Sequence, residues 1–165
     1  MLQPEDLSCR HQILCAQFPL IPYLCIMPVE LGKKIILFDG VCNLCNGAVQ
    51  WVIKRDRADV FRFAPLQSAI AEDLLKERRV DTSQLDSIIF IDPGMAYFIK
   101  SDAALEIARN IKGYAWAPAL LGWIPRSIRD GIYDLIAKNR YRLFGKKEQC
   151  MVPNEELNSK FLQTS

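Results

Sequence analysis

Metal-binding residue patterns are scarce in this chain. Its 165 residues include one histidine, His11, and one pair of cysteines at the CxxC spacing. A tetrahedral zinc site would therefore have to recruit Cys150 and a fourth ligand from scattered positions. A glycine-rich phosphate loop is also absent, so the sequence predicts no nucleotide, flavin or metal cofactor.

The chain also lacks a charge imbalance and a long uninterrupted apolar run. Its 21 Lys and Arg residues against 19 acidic residues give a formal net charge of +2, which argues against a nucleic-acid partner. The apolar segment 13–29 follows Glu5 and Asp6 and is interrupted by Pro19 and Pro22, so it fits neither a secretory signal nor a membrane span. A weak membrane-surface segment is the alternative. Without a convincing export signal, the sequence predicts a cytoplasmic protein.

The most informative stretch is IILFDGVCNLCN, from Ile35 to Asn46. A continuous apolar run ends at Asp39-Gly40, and Cys42 and Cys45 follow two residues apart. A helix starting at or just after Cys42 is predicted by apolar residues at steps of three and four beyond Cys45, namely Ala48, Val49, Val52 and Ile53. The cysteines therefore lie between a strand end and a helix N-terminus, where unpaired N–H groups and the helix dipole favour a thiolate.

This position predicts redox chemistry, with Cys42 as the nucleophile and Cys45, one turn further along, as the resolving thiol. Cys42 is also expected to be the most exposed of the thiols and the first that limiting iodoacetamide labels. Asp39 is interpreted either as an Asx turn that supports the chain reversal or as a carboxylate that exchanges protons with the thiols. Cys150 is either a third redox thiol or a small buried hydrophobe. An inert buried pair, or a non-catalytic zinc-binding or interaction module, is the alternative function.

Five segments after the first helix carry strand or helix periodicity, in the order strand, helix, strand, strand, helix: 61–64, 70–75, 88–91, 95–99 and 101–111. Ser68 can cap the first of these helices, and Pro93-Gly94 predicts an antiparallel hairpin between the last two strands. The final helix aligns four apolar residues on one face, Ala104, Leu105, Ala108 and Ile111. The resulting order βαβαββα is that of the thioredoxin-like α/β fold.

Beyond Gly113 the sequence predicts a C-terminal helical extension that caps the sheet. Pro125 can open a helix whose buried stripe is expected to comprise Ile128, Ile132, Leu135 and Ile136. The opposite face is basic, with Arg126, Arg129, Lys138, Arg140, Arg142, Lys146 and Lys147. This basic face is interpreted either as solvated surface or as a contact with an anionic membrane surface or an acidic partner.

The chain is similar to the DCC thiol-disulfide oxidoreductase family, also catalogued as a domain of unknown function. Asp39, Cys42 and Cys45 match its DxxCxxC signature, and three further blocks follow in order: FRFAPLQS at 61–68, YFIKSDAAL at 97–105 and IPRSIRDGIYDLIAKNRYRLFG ending at 145. The resemblance implies a thioredoxin-like fold and an exchange reaction with a disulfide-containing protein or a small thiol substrate. It identifies no electron donor. The place of the cis-proline found in thioredoxin is held here by 85–87, Leu-Asp-Ser.

The predicted organisation is one domain with two flanking segments. Residues 1–32 are expected to be a poorly ordered N-terminal extension, and its first 26 residues are either a tail or a stretch not made in the cell, with translation starting at Met27. Residues 33–150 comprise the thioredoxin-like domain with its helical cap. Residues 151–165 form a C-terminal tail. A chain of 165 residues is long enough for one domain with a sizeable core.

Overall fold

The computed structural model describes residues 32–80, 87–93, 97–147 and 158–162. These ranges belong to the unit that runs from Leu31 to Ser165, and within them the chain forms a four-stranded sheet and five helices. The predicted mixed α/β class, consistent with a thioredoxin-like fold, is therefore confirmed, together with a C-terminal helix. The predictions for Cys150, Gly94 and the N-terminal extension up to residue 31 fall outside the described residues, and the domain boundaries stay predictions.

The elements follow one another in the predicted order. The strands are β1 (Lys34–Phe38), β2 (Phe61–Pro65), β3 (Ile89–Ile91) and β4 (Tyr97–Ile99). The helices are α1 (Asn43–Arg55), α2 (Ala69–Glu77), α3 (Lys100–Asn110), α4 (Ala117–Leu121) and α5 (Arg126–Phe144). None of the helices within the described ranges is long and apolar enough to span a bilayer.

The sheet has the strand order β2-β1-β3-β4, so β1 is a central strand. Ile36 of β1 pairs in parallel with Phe63 and antiparallel with Phe90, and Phe90 pairs antiparallel with Phe98. The predicted hairpin of β3 and β4 is thus confirmed. Residues 35–38 of β1 are completely buried, as expected of a strand covered on both faces. Asp39 and the cysteine turn therefore follow directly after the carboxyl end of a buried central strand.

The start of α2 agrees with the sequence, whereas the buried face of α3 does not. Ser68 caps α2, because its Oγ accepts the Ala71 N–H at 3.3 Å. In α3, however, the core contains Ala103 and Ile107, and of the four aligned residues Ala104, Leu105, Ala108 and Ile111 only Ile111 is fully buried.

Residues 158–162, which belong to the predicted C-terminal tail, return to the sheet. Phe161 packs in the core against Phe38 and Phe63, with ring centroids 6.2 and 5.9 Å apart. The backbone of this segment also pairs with the outer edge of β2, since the Phe63 N–H donates to Lys160 O and the Leu162 N–H donates to Phe63 O, both at 2.9 Å. The segment therefore covers an otherwise open sheet edge.

Helix α5 faces the body of the domain with polar side chains, which contradicts the predicted buried stripe. Arg129 pairs with Asp102 at 2.9 Å, and Lys100 pairs with Asp134 at 2.9 Å. The Tyr133 hydroxyl accepts the Ile88 N–H at 3.0 Å. Because these contacts fix the rotation of the helix, the predicted stripe of Ile128, Ile132, Leu135 and Ile136 points to solvent, with exposed fractions between 45 and 64%.

Candidate functional site

The cysteine pair lies at the N-terminus of α1, as the sequence predicts. Cys42 is the N-cap residue, and its Sγ accepts the backbone N–H of Cys45 at 3.4 Å. The Asn46 N–H donates to the Cys42 carbonyl at 3.0 Å, and the Asn46 side chain donates to Gly40 O at 2.9 Å. These bonds tie the turn after β1 to the first turn of the helix. The sulfur of Cys42 therefore occupies a place where helix N–H groups and the helix dipole stabilise negative charge.

The expectation that Cys42 is the most exposed thiol is wrong. Cys42 is completely buried, whereas Cys45 is half-buried, although its side chain packs against the core. The segment that follows α5 runs antiparallel to the cysteine turn and bridges Cys42 at Lys146. The Lys147 N–H donates to Val41 O at 2.8 Å, and the Asn43 side chain donates to Phe144 O at 2.9 Å.

Gly145 makes this return of the chain feasible. Its φ of +79° lies in the left-handed region, which a residue with a Cβ rarely adopts. A Cβ added there would also lie 3.1 Å from Asn43 Nδ2. The glycine that ends α5 thus lets residues 144–147 turn back against the cysteines.

The two thiols differ in ionisation. Burial, the hydrogen bond to Cys42 and the charge of Cys42 raise the pKa of the Cys45 thiol to about 12. The nearby charge of Arg140 acts in the opposite direction, and that of Asp39 adds to the rise. Cys45 therefore keeps its proton near neutral pH.

Asp39 is held by four hydrogen-bond donors. Its Oδ1 accepts the Val41 N–H at 3.1 Å and the Gln67 amide at 3.0 Å, and its Oδ2 accepts Arg140 Nη2 at 2.9 Å and the Tyr141 hydroxyl. Burial alone would raise the pKa of this carboxyl, but the hydrogen bonds from Tyr141, Val41 and Gln67 and the charge of Arg140 outweigh it and hold the pKa below its usual value.

The bond to the Val41 N–H is an Asx turn, so the structural interpretation of Asp39 fits its geometry. The proton-exchange role of Asp39 stays a prediction. Arg140 was placed on the solvated basic face by the sequence, yet its side chain is 5% exposed and pairs with a carboxylate 101 residues earlier in the chain. The sequence assigned no site role to Gln67, Arg140 or Tyr141. The signal for Arg140 and Tyr141 was weak: an Arg-Tyr pair on α5 outside the apolar stripe.

An open groove with a volume of about 540 Å³ runs along the outer face of α1. It is mostly apolar and lined by Asn43, Leu44, Gly47, Ala48, Trp51 and Phe144. Asn43 and Leu44, which separate the two cysteines in the sequence, line this groove, whereas Cys42 and Cys45 do not. Within the described ranges, no three His, Cys, Asp or Glu side chains lie close enough together to hold a metal ion.

In the variant Cys42→Ser, we expect the pKa of the Cys45 thiol to fall below its wild-type value of about 12. A serine hydroxyl carries no charge in this pH range, so the repulsion from Cys42 disappears while burial persists. The fraction of Cys45 alkylated by limiting iodoacetamide, measured by peptide mass spectrometry across alkaline pH, reports the shift. Leu44→Ala is the matched control. An unchanged profile in Cys42→Ser would contradict the coupling of the two thiols.

Comparison with known proteins gives a consistent result. The family model of the DCC1-like thiol-disulfide oxidoreductases matches residues 36–146. The uncharacterized protein YuxK of Bacillus subtilis is 44% identical over 133 residues, which cover 81% of this chain and 96% of that protein. A chloroplastic DCC family protein of Arabidopsis thaliana is 37% identical over 122 residues, 73% of this chain and 70% of that protein. No solved structure gives a significant match.

Proposed function

This chain belongs to the DCC1-like thiol-disulfide oxidoreductase family, and we propose that it exchanges its own dithiol with a substrate disulfide, using Cys42 as the nucleophile and Cys45 as the resolving thiol. The family supports a general thiol-disulfide redox role. The assignment of roles rests on two groups of Cys45 that lie next to the Cys42 sulfur. The Cys45 N–H donates to it, and the Cys45 thiol, which keeps its proton, lies beside it.

The reaction proceeds in two exchange steps. The Cys42 thiolate attacks one sulfur of the substrate disulfide, forming a mixed disulfide and releasing the other sulfur as a thiolate that takes up a proton. Cys45 then loses its proton and attacks the Cys42 sulfur, which closes the Cys42–Cys45 disulfide and releases the second substrate thiol. Two electrons pass from the protein dithiol to the substrate. A dithiol or two small thiols must return them for another cycle.

The pKa of Cys45 changes between the first and the second step. Burial raises the pKa of Cys45, and while Cys42 is a thiolate its hydrogen bond and its charge add to the rise. Once Cys42 is part of a neutral mixed disulfide, both causes disappear, whereas the charge of Arg140 still favours ionisation of Cys45. Burial still raises the pKa of Cys45, but the thiol ionises more readily after the first attack than before it.

The substrate is a disulfide-containing protein or a small disulfide. It approaches from the side of the half-buried Cys45, because residues 144–147 pack against Asn43 and cover Cys42. A reducing compartment, the cytoplasm, would keep the pair in its dithiol form between cycles. Asp39 is included in the proposed site as the anion that anchors Arg140 beside the thiols.

The test uses the full chain in which Cys9, Cys15, Cys25 and Cys150 are replaced by serine, equilibrated in glutathione buffers of graded potential. We expect a reversible two-electron couple, seen by mass spectrometry as loss of two hydrogens and of two alkylation sites. Zinc content is measured on the unmodified full chain. Stoichiometric zinc together with the absence of an exchangeable disulfide would favour the alternative, a non-catalytic zinc-binding module.

A further inference from the structure

Exposed large apolar side chains are concentrated in one region of the molecule. Among the described residues, all of them except Trp51 and Tyr97 lie between Trp116 and Phe144, on α4, α5 and the connection between these helices. Scattered single apolar residues are normal on a protein surface, but a continuous group marks an interaction site. The C-terminal helices therefore carry a surface that a partner should cover.

The central part of this surface is the outer stripe, which we define as five residues of α5 that are 45–67% exposed: Ile128, Ile132, Leu135, Ile136 and Leu143. Their spacings of three, four and seven residues place them on one face of the helix. The inward face is already occupied by the ion pairs and hydrogen bonds that attach α5 to the domain. The outer stripe therefore does not pack against the core of the domain.

Lys and Arg outnumber acidic residues in the segment that carries the outer stripe. Residues 112–147 contain eight Lys and Arg residues against two Asp residues, although the whole chain has a formal net charge of only +2. Three of the eight already form ion pairs, Arg126 and Arg129 with Asp102 and Arg140 with Asp39. Both aspartates are already paired, Asp130 with Ser101 and Arg126, and Asp134 with Lys100. The exposed Lys138 and Arg142 follow Leu135 by three and seven residues, so they border the outer stripe.

An aromatic residue precedes the helix. Trp123, in the connection between α4 and α5, is 90% exposed, and Leu120 at the end of α4 is 64% exposed. Tryptophan is enriched where an apolar phase meets water, because its ring is apolar and its N–H is polar. An apolar face with Trp and Leu, bordered by Lys and Arg, is the composition of helices that lie in the plane of a membrane interface.

We propose that α5 docks the domain on an anionic lipid surface. The outer stripe and Trp123 enter the boundary between headgroups and acyl chains, and Lys138 and Arg142 contact the phosphates. A second copy of the chain fits this face poorly, since a symmetric contact would bring the same cations together. The proposal does not depend on the redox function, because it uses none of the residues that surround the thiols.

The test is co-sedimentation of the reduced full chain with vesicles of phosphatidylglycerol and phosphatidylcholine, compared with vesicles of phosphatidylcholine alone. We expect binding to the anionic vesicles that weakens with salt. The double variants Ile132→Ser/Leu135→Ser and Lys138→Glu/Arg142→Glu should each lower the binding constant at least about tenfold. The matched controls Tyr97→Ser and Lys76→Glu change exposed residues elsewhere, 41% exposed for Tyr97 and 70% for the Lys76 side chain, and should leave binding unchanged.

Two further measurements keep the test decisive. Circular dichroism confirms that each variant is folded, and a blue shift of tryptophan fluorescence on vesicle binding should disappear in Trp123→Phe. Equal binding to neutral vesicles, no binding at low salt, or no effect of the double variants would overturn the proposal. So would dimers in analytical ultracentrifugation that Ile132→Ser dissociates, or binding to polyglutamate but not to vesicles. These last two results would assign the surface to a second copy or to an acidic protein.

Discussion

The variant Cys42→Ser is expected to lose disulfide exchange, with an initial rate at least about 1,000-fold below that of the wild type. A serine hydroxyl does not ionise near neutral pH and does not displace a sulfur from a disulfide. The N–H of Cys45 and the start of α1 would then have no thiolate to stabilise. The measurement is the rate at which the reduced protein cleaves a small aromatic disulfide under single-turnover conditions.

Cys45→Ser should behave differently, because it leaves the first attack intact. We expect the mixed disulfide on Cys42 to accumulate, detectable as an adduct of the substrate's mass, and the same variant should trap physiological partners in a cell extract. Cys150→Ala is the control and should change the rate little. If Cys42→Ser retained the reaction and Cys45→Ser abolished it, the roles of the two thiols would be reversed.

Local signals account for the part of the site that the sequence predicts. The apolar run 35–38, the Asp39-Gly40 turn and the apolar spacing after Cys45 all concern neighbouring residues, so the strand, turn and helix could be located to within about one residue. The N-cap position of Cys42 follows from the same pattern. The burial of Cys42 does not, because it depends on the segment 144–147, which lies about a hundred residues further along the chain.

Helix α5 shows why periodicity can fail. The spacing of Ile128, Ile132 and Leu135 correctly predicts an amphipathic helix, but it does not say whether the apolar face meets the domain or something outside it. The opposite face carries Asp130 and Asp134, whose partners Ser101 and Lys100 lie on α3. Pairing between distant polar residues thus decides the rotation of the helix, and no local pattern records such pairs.

The burial of Arg140 was not predicted for the same reason. A basic residue near the C-terminal end of a helix is usually solvated, and its charge suits the helix dipole there. Its role depends on the position of Asp39, to which it is joined at 2.9 Å in a buried pair. An arginine among several basic residues carries no sign of burial in a single sequence. The core and the sheet were therefore more predictable than the groups that surround the thiols.

Arg140→Leu is expected to be the most destabilising single substitution at the site, lowering the free energy of unfolding by about 3–5 kcal/mol. It leaves the buried Asp39 carboxylate without its cation, and it removes a guanidinium that also stacks 4.7 Å from the Tyr141 ring centroid. Urea unfolding at neutral pH measures the change. Arg142→Leu, two residues further along on the exposed side, is the matched control and should change stability by no more than about 0.5 kcal/mol.

The loss of unfolding free energy in Arg140→Leu should also depend on pH, and the ionisation of Asp39 determines whether the loss grows or shrinks as the pH falls. The pKa of this carboxyl is lowered in the folded protein, so its ionisation stabilises the fold above its unfolded pKa of about 3.9, and that contribution is lost as the pH falls through the folded pKa. Removing Arg140 takes away one cause of the lowering. The gap in unfolding free energy between wild type and Arg140→Leu should therefore be widest at neutral pH, and it should narrow as the pH falls through the pKa of Asp39 in the variant, which lies above that in the wild type. In an Asp39→Asn background this narrowing should disappear, since the asparagine does not titrate. A gap that stays constant from pH 7 to pH 3 would mean that Arg140 stabilises the protein through packing on Tyr141 rather than through the charge of Asp39.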